Sequence, residues 1–227
     1  MTRRLQTELE RIKKRILALG AIVEERVRRA IKAIELRDGE LANQIMKTDY
    51  EIDELEVEVE EECLKILALH QPVAVDLRFL IAVIKINNDL ERIGDEAVNI
   101  AQRVENIARR KRVELSVEYT AMAEKAASML RMSLDSLVSL DLDLAFRVLI
   151  LDDEVDQMHR EIYDNIKETM AQKSESVGFL INFLTISRHL ERIADHSTNI
   201  AEEVIYLVEG EIVRHGRWEA KPEEPQR

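Results

Sequence analysis

The sequence predicts an all-α protein made of two tandem antiparallel three-helix bundles, six long helices in all, related by internal duplication. Three observations point there. The composition is helical: only six Gly and three Pro occur in 227 residues, and aromatics make up 4 %. Apolar residues recur at spacings of three and four, and no stretch alternates strictly enough to be a strand. The chain also repeats itself. KINNDLERIGDEAVNIAQRV at 85–104 returns as TISRHLERIADHSTNIAEEV at 185–204, an offset of 100. Upstream, DGELANQIMKTDYEID at 38–53 aligns with DLDLAFRVLILDDEVD at 141–156, an offset of 103. The second unit therefore has a connection three residues shorter, which places loops near 70–76 and 171–176.

The elements follow in order. The first helix is expected over 3–36, where MTRRLQTELERIKKRI lacks the apolar core of a signal peptide. The second runs 39–69 behind Asp38 as N-cap, with Leu41, Ile45, Ile52, Leu55, Val59, Cys63 and Ile66 as its stripe. Gln71-Pro72 stops it, because a residue before Pro is pushed out of helical dihedrals. The third spans 74–110 with Leu80, Val83, Ile86, Leu90, Ile93, Ala97, Ala101 and Val104 inward. The fourth, at 117–139, starts at Ser116 and is the shortest. The fifth, 142–171, is capped by Asp141, and the sixth, 176–209, by Ser174 or Ser176. Short links make successive helices antiparallel neighbours. The units are thus 1–112 and 113–210, followed by a loose tail at 211–227. Gly94 sits inside the third helix, where Gly costs ~1 kcal/mol against Ala, and it predicts close packing against another helix.

Several classes are excluded. The longest apolar run, FLIAVI at 79–84, is far short of the ~20 residues of a membrane span. A single cysteine, Cys63, rules out an intrachain disulfide and fits a reducing compartment. A net charge of −12 argues against nucleic acid and suits cations or basic partner surfaces. No Gly-rich phosphate loop, nucleophile elbow or Walker pattern occurs, so no motif supports catalysis or direct phosphate sensing, and the acidic quartets would repel phosphate unless a metal bridged it.

The chemistry lies in paired carboxylates. With 45 acids in the chain, chance alone gives about nine pairs spaced i, i+4, so one pair means nothing. Four pairs, however, occupy equivalent places in the two repeats: Asp49/Asp53 and Glu91/Asp95 in the first, Asp152/Asp156 and Glu191/Asp195 in the second. Their register also closes. In an antiparallel hairpin, residues at equal height share a midpoint. Asp49 with Asp95 and Asp53 with Glu91 both centre on Pro72, while Asp152 with Asp195 and Asp156 with Glu191 centre between Lys173 and Ser174. At about 100° per residue, taking Leu90 as inward, Glu91 and Asp95 lie at about 100° and 140°; taking Ile52, Asp49 and Asp53 lie at about 60° and 100°. All flank the apolar stripe.

Four carboxylates at one level repel, and Arg92 and Arg192 point about 100° away from Glu91 and Glu191 on their own helices. Bound cations would relieve the repulsion. Oxygen donors suit hard or borderline ions such as magnesium, manganese and iron, with zinc less preferred, and eight candidate ligands suggest two sites, mononuclear or multinuclear. Asn99 and Asn199 continue the stripe as weaker candidates. His189 and His196 fall on the other side of the helix. His159 follows Asp156 at i+3, but its counterpart is Glu56, so any such site would be single. The surroundings have diverged, with Asn88 aligned to Arg188 and Glu96 to His196.

LERIGDEAVNIA, its twin LERIADHSTNIA and the connector HQPVAVDLR resemble the PhoU family of phosphate-transport accessory proteins, over the chain up to about residue 209. The resemblance implies an intracellular, cytoplasmic negative regulator of the phosphate-specific transporter and of phosphate-starvation two-component signalling. It implies contact with the transporter's ATPase subunit and the sensor histidine kinase, and metal clusters on Asp49, Asp53, Glu91, Asp95, Asp152, Asp156, Glu191 and Asp195. A homo-oligomer, a dimer in the first instance, is expected. Arg188, His189 and His196 depart from the first copy, so the two sites differ in detail. The alternatives are a ferritin-like di-metal oxidative enzyme, disfavoured because neither quartet has Glu-x-x-His, and a purely structural helical scaffold.

Overall fold

The structure is a computed structural model that describes residues 3–109, 119–173 and 176–213. Its helices are α1 (Arg3–Leu36), α2 (Gly39–Lys47), α3 (Tyr50–His70), α4 (Ala74–Ala108), α5 (Tyr119–Ser139), α6 (Leu142–Gln172) and α7 (Val177–Glu209). Among the described residues no strand occurs. The six expected helices are present, the second of them in two pieces, α2 and α3. Residue 110 of the third helix, residues 117–118 of the fourth, the Ser116 and Ser174 caps, the 112/113 boundary and the tail beyond 213 lie outside the described residues.

The duplication is visible at each joint. Arg37 (φ 51°) and Leu140 (φ 54°) take left-handed backbone at equivalent positions and turn the chain sharply. Asp38 N donates to Ala33 O at 3.1 Å and Asp141 N to Ser136 O at 3.2 Å, again the same contact twice. Both aspartates are the caps expected of them. Asp38 Oδ1 accepts from the amides of Glu40 (2.9 Å) and Leu41 (3.0 Å), and Asp141 Oδ1 from that of Leu144 (3.1 Å). Ser176 differs: its side chain makes no capping bond, and its amide donates to Lys173 O at 3.0 Å. The connections after α3 and α6 fall at the predicted turn centres.

Helices α1 to α4 form one bundle and α5 to α7 the other. They meet mainly through α4 against α7, with α1 against α5 beside it, and one continuous apolar core runs through both. Cys63 belongs to that core, and burial, with Glu62 and Glu60 nearby, pushes its thiol up to about 12. Gly94 provides the close approach expected of it, not between the bundles but within the first. A Cβ there would lie 2.8 Å from Ile52 Cδ1 on α3. Its counterpart is Ala194, and Ile52's is Val155, so a methyl group has moved from one helix to the other between repeats.

The interruption between α2 and α3 has a tertiary cause. Thr48 leaves helical geometry (φ −103°, ψ 14°), and its hydroxyl bonds Ile45 O at 3.1 Å, competing with the ladder. Arg26 on α1, 5 % exposed, donates to the carbonyls of Thr48 and Asp49 (3.3 Å to the latter), taking acceptors the ladder has released. At the 103-residue offset Arg26 corresponds to buried Met129 and Thr48 to Leu151. With both apolar, α6 runs unbroken.

Candidate metal centre

Antiparallel packing of α3 on α4 brings the first quartet to one level, as the register requires. Asp49, Asp53 and Asp95 each offer an oxygen within 4.8 Å of the others. At that separation two unit charges repel by about 1–3 kcal/mol, depending on screening. Burial, then Asp95, Asp53 and Glu56, raises the Glu91 carboxyl above its ordinary range, so the fourth member shares the same field. Asp95 is raised by burial and then by Asp49 and Asp53; Asp49 by burial and Asp53 against the pull of Arg26. Arg26 Nη1 stands 3.3 Å from Asp49 Oδ1. This cation comes from α1 and was not among the expected residues; nothing in the local pattern of α2–α3 signals it.

The second quartet is the more deeply set. Burial pushes Asp152 up to about 7, followed by the charges of Asp195, Asp156, Asp153 and Glu191. Its Oδ1 is enclosed without a hydrogen-bond partner. Asp195 is raised by burial, Glu191 and Asp156. All four expected members therefore act on one another. Among the described residues, though, no three of their oxygens gather as tightly as in the first quartet. An orphaned carboxylate oxygen within an all-oxygen donor set fits a hard or borderline cation.

One of the two weaker candidates has another partner. Asn199 donates its amide to Asp89 at 3.0 Å, on the α4–α7 side, and Asn99 is half-buried at the equivalent position. His159 Nδ1 contacts Ser187 Oγ at 3.1 Å; in the first repeat the same place holds Asn87 donating to Glu56 O at 2.8 Å. His189 and His196 lie off the acid stripe, as their angles required, and the structure shows what they do there. His189 donates to Glu96 (2.5 Å) and His196 to Asp89 (2.9 Å), both across the bundle interface. Arg192, pointing away from Glu191, also reaches Glu96, at 2.8 Å. Glu96 is 2 % exposed, so this is interior rather than diverged surface. Burial would raise its carboxyl, but the hydrogen bond and charge of His189, with Arg192 and His196, hold it below its ordinary value.

Two tandem three-helix bundles, each with a carboxylate quartet on one hairpin, define a duplicated helical-bundle protein. The PhoU domain model matches twice, over residues 16–104 and 119–204. The chain belongs to the PhoU family, whose members are accessory proteins rather than enzymes. It is 35 % identical over 215 residues to the phosphate-specific transport system accessory protein PhoU homolog of Clostridium acetobutylicum, covering 94 % of this chain and 98 % of that one. With the accessory protein PhoU of Escherichia coli K12 the identity is 32 % over 208 residues, covering 92 % and 86 %. The crystal structure of PhoU from Pseudomonas aeruginosa superposes with a TM-score of 0.88 at 36 % identity, over 91 % of this chain and 99 % of that one. The phosphate transport system regulatory protein PhoU from Streptococcus pneumoniae gives 0.82 at 32 %, over 92 % and 99 %. No described helix is long and apolar enough to cross a membrane.

Proposed function

We propose that this chain is a metal-binding regulatory adaptor of phosphate uptake, a negative regulator of the phosphate-specific transporter and of phosphate-starvation two-component signalling. The names of its relatives support the accessory role. The observation that carries the metal is the first quartet: three carboxylate oxygens within 4.8 Å with one guanidinium to offset them. Asp49, Asp53, Glu91 and Asp95 would hold one cation site, and Asp152, Asp156, Glu191 and Asp195 the other. A bound cation would supply positive charge that cancels the repulsion and ties α3 to α4 and α6 to α7. Iron is the favoured ion, with manganese, magnesium or zinc as alternatives. In this role the chain would work in the cytoplasm and touch the ATPase subunit and the sensor kinase, and the reading includes a homo-oligomer, a dimer in the first instance.

Elemental analysis of the purified protein beside a Glu91→Ala/Glu191→Ala double variant tests the sites; equal metal content in both would refute them. A phosphate-starvation reporter tests the role. Deletion should leave the reporter on in high phosphate, and the wild-type chain should switch it off again. Repression that survives deletion would count against the adaptor.

A further inference from the structure

The contact between the bundles carries a pattern that neither metal nor phosphate explains. Along α4 and α7, Asp89 pairs with His196 (2.9 Å) and Asn199 (3.0 Å), Glu96 with His189 (2.5 Å) and Arg192 (2.8 Å), and Lys85 with Glu203 (3.1 Å). At the 100-residue offset Asp89 corresponds to His189 and Glu96 to His196. The two acid–histidine pairs are therefore one contact met twice, exchanged when the repeats exchange. The bundles face each other as the two subunits of a two-fold dimer would, each offering the same patch.

Such a patch could close on a copy of itself, yet here it cannot do so well. Two first repeats would set Asp89 against Glu96 twice. They would also set Lys85 against Arg103, since Arg103 is the counterpart of Glu203. Two second repeats would set His189 against His196, with no carboxylate to accept. Glu96, Glu203, His196 and Asp89 are 2 %, 3 %, 7 % and 9 % exposed, so solvent would do little to screen a mismatch. Only unlike repeats set a histidine opposite both acids.

We propose that this seam is a recognition surface for unlike repeats: the α4 face of a first repeat accepts the α7 face of a second repeat and rejects another first repeat. The fitting partner for each face is the complementary half of this same chain. A second copy presenting a like repeat is excluded, so any self-association of the closed chain uses a different surface. Specificity of this kind needs repulsion in the wrong pairings as well as attraction in the right one, and the exchanged acids and histidines supply both.

Full-length variants measured in chelator separate this from any metal effect. His189→Asp/His196→Glu gives both repeats acids, and Asp89→His/Glu96→His gives both repeats histidines. Each should lower the midpoint of thermal unfolding by at least about 5 °C. The fourfold variant that exchanges acids and histidines completely should regain at least half of the summed loss. A fourfold loss equal to the sum of the two half-exchanges would overturn the proposal. If a half-exchange does not fold, the cycle Glu96→Gln, His189→Gln and both together reads the same coupling. A double variant no more stable than additivity predicts would be the overturning result.

Discussion

Replacing Asp152 by Asn should stabilise the protein in chelator, by an amount that grows as pH rises from about 4 to about 7. Asp152 is half-buried, its Oδ1 has no partner, and its carboxyl is pushed up to about 7 by burial and four neighbouring acids. An unfolded aspartate titrates near ~3.9. Between those values the folded chain keeps a proton the unfolded chain has released, so stability falls as pH rises through that window. The cost is absent at pH 4 and complete above about 7. Three pH steps at 1.36 kcal/mol each set a ceiling of about 4 kcal/mol. Solvent access and sharing of charge among the four acids reduce it to about 1–2 kcal/mol. Asn keeps the shape and removes the charge. For a chain of this length the midpoint should rise by about 2–8 °C at pH 8 and stay unchanged at pH 4. Calorimetry at pH 4, 6 and 8 in chelator measures it. Saturating manganese should invert the sign at pH 8, because the variant would lack one ligand of the proposed site. A loss of stability at pH 8 in chelator, or the same gain at pH 4, would refute the reasoning.

Two further outcomes rest on the differences between repeats. Gly94→Ala places a Cβ 2.8 Å from Ile52 Cδ1. Overpacking of about 1–3 kcal/mol set against the ~1 kcal/mol gained in helix propensity leaves a net loss of up to about 2 kcal/mol. Adding Ile52→Val recreates the Ala194/Val155 pairing of the second repeat, and urea midpoints should show the double variant at least ~1 kcal/mol better than additive. Arg26→Met removes the donor to two released carbonyls and to Asp49, and should cost about 2 kcal/mol. Thr48→Leu added to it copies the second repeat and should recover most of the loss; a single-variant cost below ~0.5 kcal/mol would show that Arg26 does not hold the joint.

The heights of the carboxylates were legible in the sequence because a tight antiparallel hairpin leaves one free parameter, its turn centre. Pro72 and the gap after Lys173 fixed it for each unit. Asp49, Asp53 and Asp95 converge for that reason. The joint at Thr48 was not legible, because the stretch has ordinary helical periodicity and the cause sits on α1, more than twenty residues upstream. The seam was half legible. The change from Glu96 to His196 stands out in the repeat, but periodicity gives only the angle of a side chain and not which neighbour covers it. Once α7 lies against α4, the same angles that kept His189 and His196 from the acids deliver them to Glu96 and Asp89.

The joint at Thr48 also makes the two halves mechanically unequal. Asp152 and Asp156 ride on one unbroken ladder, so their spacing is that of a rigid rod. Asp49 stands at the junction of two rods and Asp53 one turn into the second, with the carbonyls released at the junction held by the Arg26 guanidinium. A small rotation there changes the distance from Asp49 to its neighbours without breaking a helix. A duplicated gene has thus kept its acids in both copies while giving one copy a stiff frame and the other a compliant one. A cation held there as proposed would meet a frame able to adjust to its radius, and a push on α1, to which Arg26 belongs, would reach the carboxylates through that guanidinium.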